Sequence, residues 1–268
     1  MRNTTVIGAI LGDIIGSVYE FEPINSKNFD LFSAESRFTD DSIMTLAVAK
    51  AVMDSDNDFS NLSDRAVYWM QKIGATHRGD YGQSFRKWLA AENPQPYNSW
   101  GNGAAMRVSP VACAARSIEE VKILSKKVTE VTHNHPEGIK GAEAIAVAVF
   151  LALQKKSKAE IKEYIEKNYY KLDRTLEEIA CDYKFDESCQ GTVPEAIQCF
   201  LEGKDFEDVI RNCVWLGGDA DTMGAIAGAI AGSYFEIDSA YIEKAMGKLT
   251  AEYRSIYEEW TGYLSKRS

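Results

Sequence analysis

Proline is scarce in this chain: six in 268 residues. No stretch is rich enough in proline and serine to be a linker, and no 20–50-residue repeat is present. One domain over residues 1–268 is the expectation. Long apolar runs are also missing. The run from Met223 to Phe235 is too short to span a bilayer. The run from Val6 to Leu11 is short and is interrupted by Asp13, so no export signal forms. Cysteine is limited to Cys113, Cys181, Cys189, Cys199 and Cys213, without a C-x-x-C pair, which argues against a zinc ribbon or a thioredoxin-type site. An odd, scattered set of thiols points to a reducing, cytoplasmic setting without a membrane. Positive charge is in deficit: 30 Lys and Arg face 40 Asp and Glu, a net charge of −10. That argues against a nucleic-acid partner, which needs a basic face. The three histidines, His77, His133 and His135, lack the further ligands of a zinc site. No G-x-S-x-G elbow, Walker loop or dinucleotide fingerprint occurs.

What is present is ordinary globular composition, 45% hydrophobic and 26% charged. Size scaling gives about 73% of the unfolded surface buried, enough for one sizeable core. Clean period-2 alternation is hard to find, and helical patterning dominates. Thr39 caps an expected helix from Asp40 to about Met53. Ser117 and Glu120 form a capping box opening a helix through Val128. Gly141 to Gln154 is alanine-rich and apolar, the signature of a buried helix. Val193 to Leu201, Phe206 to Leu216 and Ser239 to Leu264 also read as helices. The expected fold is all-α: a compact single-domain orthogonal bundle of ten or more helices. Gly8, Gly12 and Gly16 recur at four-residue spacing, as do Gly224, Gly228 and Gly232. Glycine costs about 1 kcal/mol against alanine within a helix. Each stripe alone fits small residues in a crowded core. The sharper expectation is that the two helices cross at the bundle centre, bringing together the acidic residues near their ends.

Two clusters carry most of the chemistry. Thr39-Asp40-Asp41-Ser42 crowds oxygens onto the opening of a helix. Gly217-Gly218-Asp219-Ala220-Asp221-Thr222 places a tight turn and two more carboxylates at another opening. Either alone is also what helix capping looks like. Adjacent carboxylates repel unless something positive offsets them, and oxygen-only donors select hard cations such as Mg²⁺, Mn²⁺ or Ca²⁺. Four carboxylates balance two divalent ions. Glu20, in Tyr19-Glu20-Phe21-Glu22, is flanked by aromatics; partial desolvation there would suit a carboxylate to acid–base work, and an ordinary exposed glutamate is the alternative for either residue. The glycine turns Arg78 to Gly82 and Asn98 to Gly103 can offer backbone N–H groups to phosphate. Trp100 is placed to stack on a base or to be buried.

In order, the stretches GAILGDIIGSVYEF, RFTDDSIMTLAVA, RGDYG, SWGNGAAMRVSP, THNHPEGIKGA, QGTVPEAI and WLGGDADTMGAIAGA resemble the ADP-ribosylglycohydrolase family over nearly the whole chain. The resemblance implies an all-α fold with a binuclear Mg²⁺ cleft, Mn²⁺ being an alternative. It implies hydrolysis of the bond between the distal ribose of ADP-ribose and an acceptor, with ADP-ribose or an ADP-ribosylated protein as partner. By motif, Thr39, Asp40, Asp41, Asp219, Asp221 and Thr222 would form the metal shell, and Glu20 the catalytic carboxylate. Gly79, Asp80, Tyr81 and Gly82, with Ser99, Trp100, Gly101 and Asn102, would meet the pyrophosphate and ribose. His133 would line the adenosine end. Trp100 stands where the family often has tyrosine. Arginine-, serine- and other linkages stay open, with Asp80 a candidate to meet a guanidinium. The alternatives are an ADP-ribose reader or toxin-immunity protein without catalysis, and a hydrolase of small ADP-ribose esters.

Overall fold

The helical periodicity resolves into fifteen α-helices in the computed structural model, which describes residues 4–24, 26–56, 58–76 and 80–267. The first six are α1 (Thr5–Gly16), α2 (Asp40–Met53), α3 (Leu62–Gly74), α4 (Gln83–Leu89), α5 (Gly103–Met106) and α6 (Ser109–Ala114). Next come α7 (Ile118–Thr129), α8 (Pro136–Leu153), α9 (Lys158–Asn168), α10 (Leu176–Ala180) and α11 (Cys189–Glu202). The chain closes with α12 (Phe206–Leu216), α13 (Ala220–Tyr234), α14 (Ser239–Lys248) and α15 (Ala251–Arg267). Among the described residues there is no strand, only one antiparallel bridge between Gly101 and Ser188. The fold is all-α. Its exposed surface, 11701 Å², matches the roughly 11,600 Å² that size scaling gives.

The glycine stripes are the axis of the molecule. A Cβ added to Gly8, Gly12 or Gly16 would overlap the carbonyl oxygen of Gly228, Gly224 or Ala220, respectively. Position numbers rise along α1 as they fall along α13, so the helices run antiparallel, backbone against backbone, over three turns. This is closer than a single crossing. Every described side chain of α1, and all but Tyr234 of α13, is buried. The antiparallel arrangement puts the C-terminal end of α1 beside the N-terminal end of α13, and the cleft opens there.

Local signals set most boundaries. Thr39 accepts a hydrogen bond from Asp41 N–H and starts α2 at Asp40. Ser117 caps α7, but the expected box is half-formed: Glu120 Oε2 accepts from Arg116 N–H at 2.6 Å, one residue before the cap. The helix expected from Val193 begins four residues earlier, because Ser188 caps it through Gly191 N–H and Pro194 is accommodated inside. The helix expected from Ser239 to Leu264 is two helices. Leu249 adopts extended backbone and is buried, and Thr250 Oγ1 accepts from Tyr253 N–H to restart α15. A buried leucine at the break draws the chain into the core, which outweighs continuous helix propensity.

Candidate active site

Three chain segments deliver acids to one end of the α1–α13 pair. The turn after α1 carries Glu20, the opening of α2 carries Thr39 to Asp41, and the α12–α13 turn carries Asp219 ahead of Asp221 and Thr222. That last turn needs its glycines: Gly217 and Gly218 have φ of 78° and 75°, in the left-handed region. A cleft of about 650 Å³ opens over these segments and runs out between the loops around residues 80–85, 97–103 and 186–188.

Oxygen atoms converge in two overlapping groups. Carboxylate oxygens of Glu20, Asp219 and Asp221 lie within 4.8 Å of one another, as do those of Asp13, Asp41 and Asp221. Asp221 belongs to both. Thr39 Oγ1 and Thr222 Oγ1 each lie 3.3 Å from Asp41 Oδ2. Helix capping explains Thr39 but not Asp219, which makes no capping bond. Its Oδ2 instead accepts from Asn102 Nδ2 at 2.7 Å.

The electrostatics of this group are unfavourable as it stands. Burial, with the charges of Asp13 and Asp40, pushes the Asp41 carboxyl well above its usual range. Burial and then the charge of Asp41 do the same to Asp221. Asp40 is pushed up to about 7, first by burial and then by Asp13. Glu20 rises to about 7 through burial and the charges of Asp219, Asp80 and Asp40, against the pull of Arg37. No lysine or arginine pairs with these acids among the described residues. Asp41 Oδ1 and Glu20 Oε2 are buried without a hydrogen-bond partner. Buried, unpaired carboxylate oxygens cost several kcal/mol unless a cation meets them, on the order of 1–3 kcal/mol or more each. The donor set therefore fits hard divalent cations.

The remaining expected residues are distributed unevenly. Asp80, Gly82, Ser99, Trp100, Gly101, Asn102 and His133 line the cleft. Gly79 lies outside the described residues. Tyr81 does not line the cleft; it is buried with its ring 5.4 Å from that of Phe85. Asp80 is ion-paired with Arg37 at 3.1 Å, so a guanidinium acceptor would have to displace Arg37. The Asn102 amide is taken up by Asp219 and by Thr192 Oγ1 at 3.1 Å. Trp100 is half exposed at the rim, its ring 5.3 Å from that of His135. His133 is buried, and burial followed by the Arg107 charge pushes its pKa well below 6.5, so it is neutral. His133 Nδ1 lies 2.7 Å from Thr132 Oγ1 and 3.5 Å from Arg107 Nη2.

Two residues of the site were not expected from the sequence. Asp13 reads in the sequence only as an interruption of an apolar run; a lone acid within such a helix is the signal that marks it. Arg107, in the SWGNGAAMRVSP stretch, is 2% exposed and lines the cleft. It donates to Thr132 Oγ1 at 2.6 Å and lies 5.4 Å from the Phe85 ring. Burial lowers its pKa to about 10, so it stays charged.

Fold and site together define a helical protein built around an acidic, oxygen-donor cleft. The sequence matches the ADP-ribosylglycohydrolase family over residues 4–262. ADP-ribosylhydrolase ARH3 of Mus musculus is 27% identical, with 86% of this chain and 82% of that protein covered. ADP-ribosylarginine hydrolase Tri1 of Pseudomonas putida is 23% identical, covering 87% of this chain and 70% of that one. Among solved structures, a chain of an "ADP-ribosylglycohydrolase-related protein complex" superposes with a TM-score of 0.72 at 24% identity, covering 99% of this chain and 96% of that chain, and so shares the fold. The chain belongs to the ADP-ribosylglycohydrolase family and is a glycohydrolase.

Proposed function

We propose that this enzyme removes ADP-ribose from a modified protein side chain by hydrolysing the glycosidic bond at the distal ribose, with two divalent cations, Mg²⁺ or Mn²⁺, in the acidic cleft. The observation that carries this reading is the meeting of Glu20 with Asp219 and Asp221 at the mouth of a cleft large enough for a dinucleotide-sized ligand. Thr39, Asp40, Asp41, Asp219, Asp221 and Thr222 would hold the cations. When bound, the cations polarise ribose hydroxyls and water and neutralise the carboxylates.

The chain's own residues supply the rest. Glu20 takes a proton from water as that water attacks the anomeric carbon and the bond to the acceptor breaks through an oxocarbenium-like state. Half-burial beside other acids raises the basicity of Glu20, which suits this task near neutral pH. The open surface over Gly82 and the cleft-lining turn at Gly101 to Gly103 suit a pyrophosphate at a wall that no described lysine lines, although Gly101 N–H already donates to Ser99 Oγ and Asn102 N–H to the Glu187 carbonyl. Neutral His133 offers its Nε2 edge to the adenosine end. Trp100 offers a stacking face at the rim. A single domain in a reducing cytoplasm is consistent with five cysteines that form no disulfide. No described helix is long and apolar enough to cross a membrane.

The test is release of free ADP-ribose from one arginine-linked and one serine-linked substrate, with Mg²⁺ and with EDTA. Metal-dependent release from either is expected, and it names the linkage. Glu20→Gln should lower turnover by roughly 10²–10⁴-fold and retain ADP-ribose binding. Turnover at the wild-type rate would remove Glu20 from the reaction.

A further inference from the structure

Asp13 sits in the last turn of α1, fully buried, and is the only charged residue of that helix. Its carboxylate faces another helix end-on. Oδ2 accepts from Thr39 N–H at 2.9 Å and from Ser42 N–H at 3.1 Å, and also from the Ser42 hydroxyl. Oδ1 accepts from the Thr39 hydroxyl at 2.8 Å. Four donors, all from the opening of α2, thus occupy both oxygens.

The bond to Thr39 has a directional consequence. A hydroxyl has one hydrogen and two lone pairs. Of its two acceptors, Asp13 Oδ1 at 2.8 Å is nearer than Asp41 Oδ2 at 3.3 Å, and with the hydrogen on Asp13 the lone pairs of Thr39 Oγ1 turn away from α1. One accepts from Asp41 N–H at 3.3 Å. The other is left for a cation. Asp13 also fixes Ser42 one turn on, so Asp41 is held between two clamped residues. We infer that Asp13 is a positioning residue: it takes the Thr39 hydroxyl proton and clamps the start of α2 so that Thr39 and Asp41 present lone pairs to the cation. This rests on the reading that the α2 opening holds a divalent ion. Asp13 is not itself needed as a ligand, because its oxygens are filled from α2. Partners that orient metal ligands in this way typically change metal affinity 10–100-fold when removed.

A purely capping role makes a different prediction. Asparagine is as good a cap as aspartate. As a mere cap, Asp13→Asn would leave both fold and metal affinity nearly intact. As the orienting acceptor, asparagine fails, because one of its two positions donates and meets a donor from Thr39 or Ser42.

The experiment is Mn²⁺ titration followed by electron paramagnetic resonance, on wild type, Asp13→Asn, Ser42→Ala and the double variant, with melting in EDTA as the fold control. Asp13→Asn should bind Mn²⁺ about 10–100-fold more weakly and still melt cooperatively in EDTA. Ser42→Ala should bind several-fold more weakly, and the double variant no more weakly than Asp13→Asn, because Ser42 acts through Asp13. Wild-type affinity in Asp13→Asn, or losses that multiply in the double variant, would overturn the assignment. Should Asp13→Asn fail to fold, Ser42→Ala decides alone: unchanged affinity overturns it. Wild type that binds no Mn²⁺ refutes the cation reading itself. Binding that is lost in Asp41→Asn but kept in Asp13→Asn refutes only the role of Asp13.

Discussion

Stripping the divalent cation should make the protein's stability fall as pH rises, the reverse of ordinary acid denaturation. Asp13 is held at about 6 against an ordinary 3.8, chiefly by burial, with hydrogen bonds from Ser42 and Thr39 holding it down. Asp40, Asp41 and Asp221 are displaced in the same direction. Because the folded value is the higher one, the folded chain keeps protons that the unfolded chain has released. The stability from this source is complete below about pH 4 and is lost as the pH climbs through 6 to 7. Two pH units for Asp13 alone correspond to on the order of 3 kcal/mol. About half of that is lost between pH 5 and pH 8, so at roughly 2–4 °C per kcal/mol Asp13 alone should lower Tm by about 3–6 °C across this range. Calorimetry in EDTA from about pH 5 to about pH 8 covers the upper half of the window. Starting there leaves out surface acids such as Glu160, which is held at about 2 by Lys156 and the Ser157 cap. Excess Mg²⁺ should flatten the profile, since cation binding favours the ionised carboxylates, and it should raise Tm more at pH 8 than at pH 5. A Tm in EDTA that is level or rising over this range, or a Mg²⁺ shift equal at both ends, would refute the reasoning.

Asp219→Ala should weaken Mg²⁺ binding at least 10-fold by calorimetric titration, with activity falling in parallel; an unchanged titration would remove Asp219 from the ligand set. Gly12→Ala should destabilise the fold by about 3 kcal/mol or more in urea, because the new methyl overlaps backbone that cannot rotate away. A midpoint within error of wild type would mean that α1 and α13 can separate freely.

Much of the fold could be read from the chain itself. Thr39 as a cap and the apolar spacing behind it gave α2 its observed limits, because both signals are local. The glycine stripes announced a close helix pair, although the full antiparallel contact emerged only with the structure. The break at Leu249 was invisible, since nothing in the local pattern forbids helix there; the core draws that leucine in. Asp13 is illegible in the sequence for a related reason. A single acid in an apolar helix has no motif, and its meaning depends on Thr39 and Ser42, which are 26 and 29 residues away. Arg107 likewise acquires its place from Thr132 and Phe85, on other elements.

The sequence by itself determined which residues cap, which are small, and which carry oxygen in clusters, because those properties belong to a residue and its near neighbours. Tertiary structure decided which of those oxygens meet. Glycine against glycine lets α1 and α13 approach until their ends share one cleft. Only then do Glu20 and Asp41, far apart along the chain, each become a repelling neighbour of Asp221, in a cluster suited to a cation.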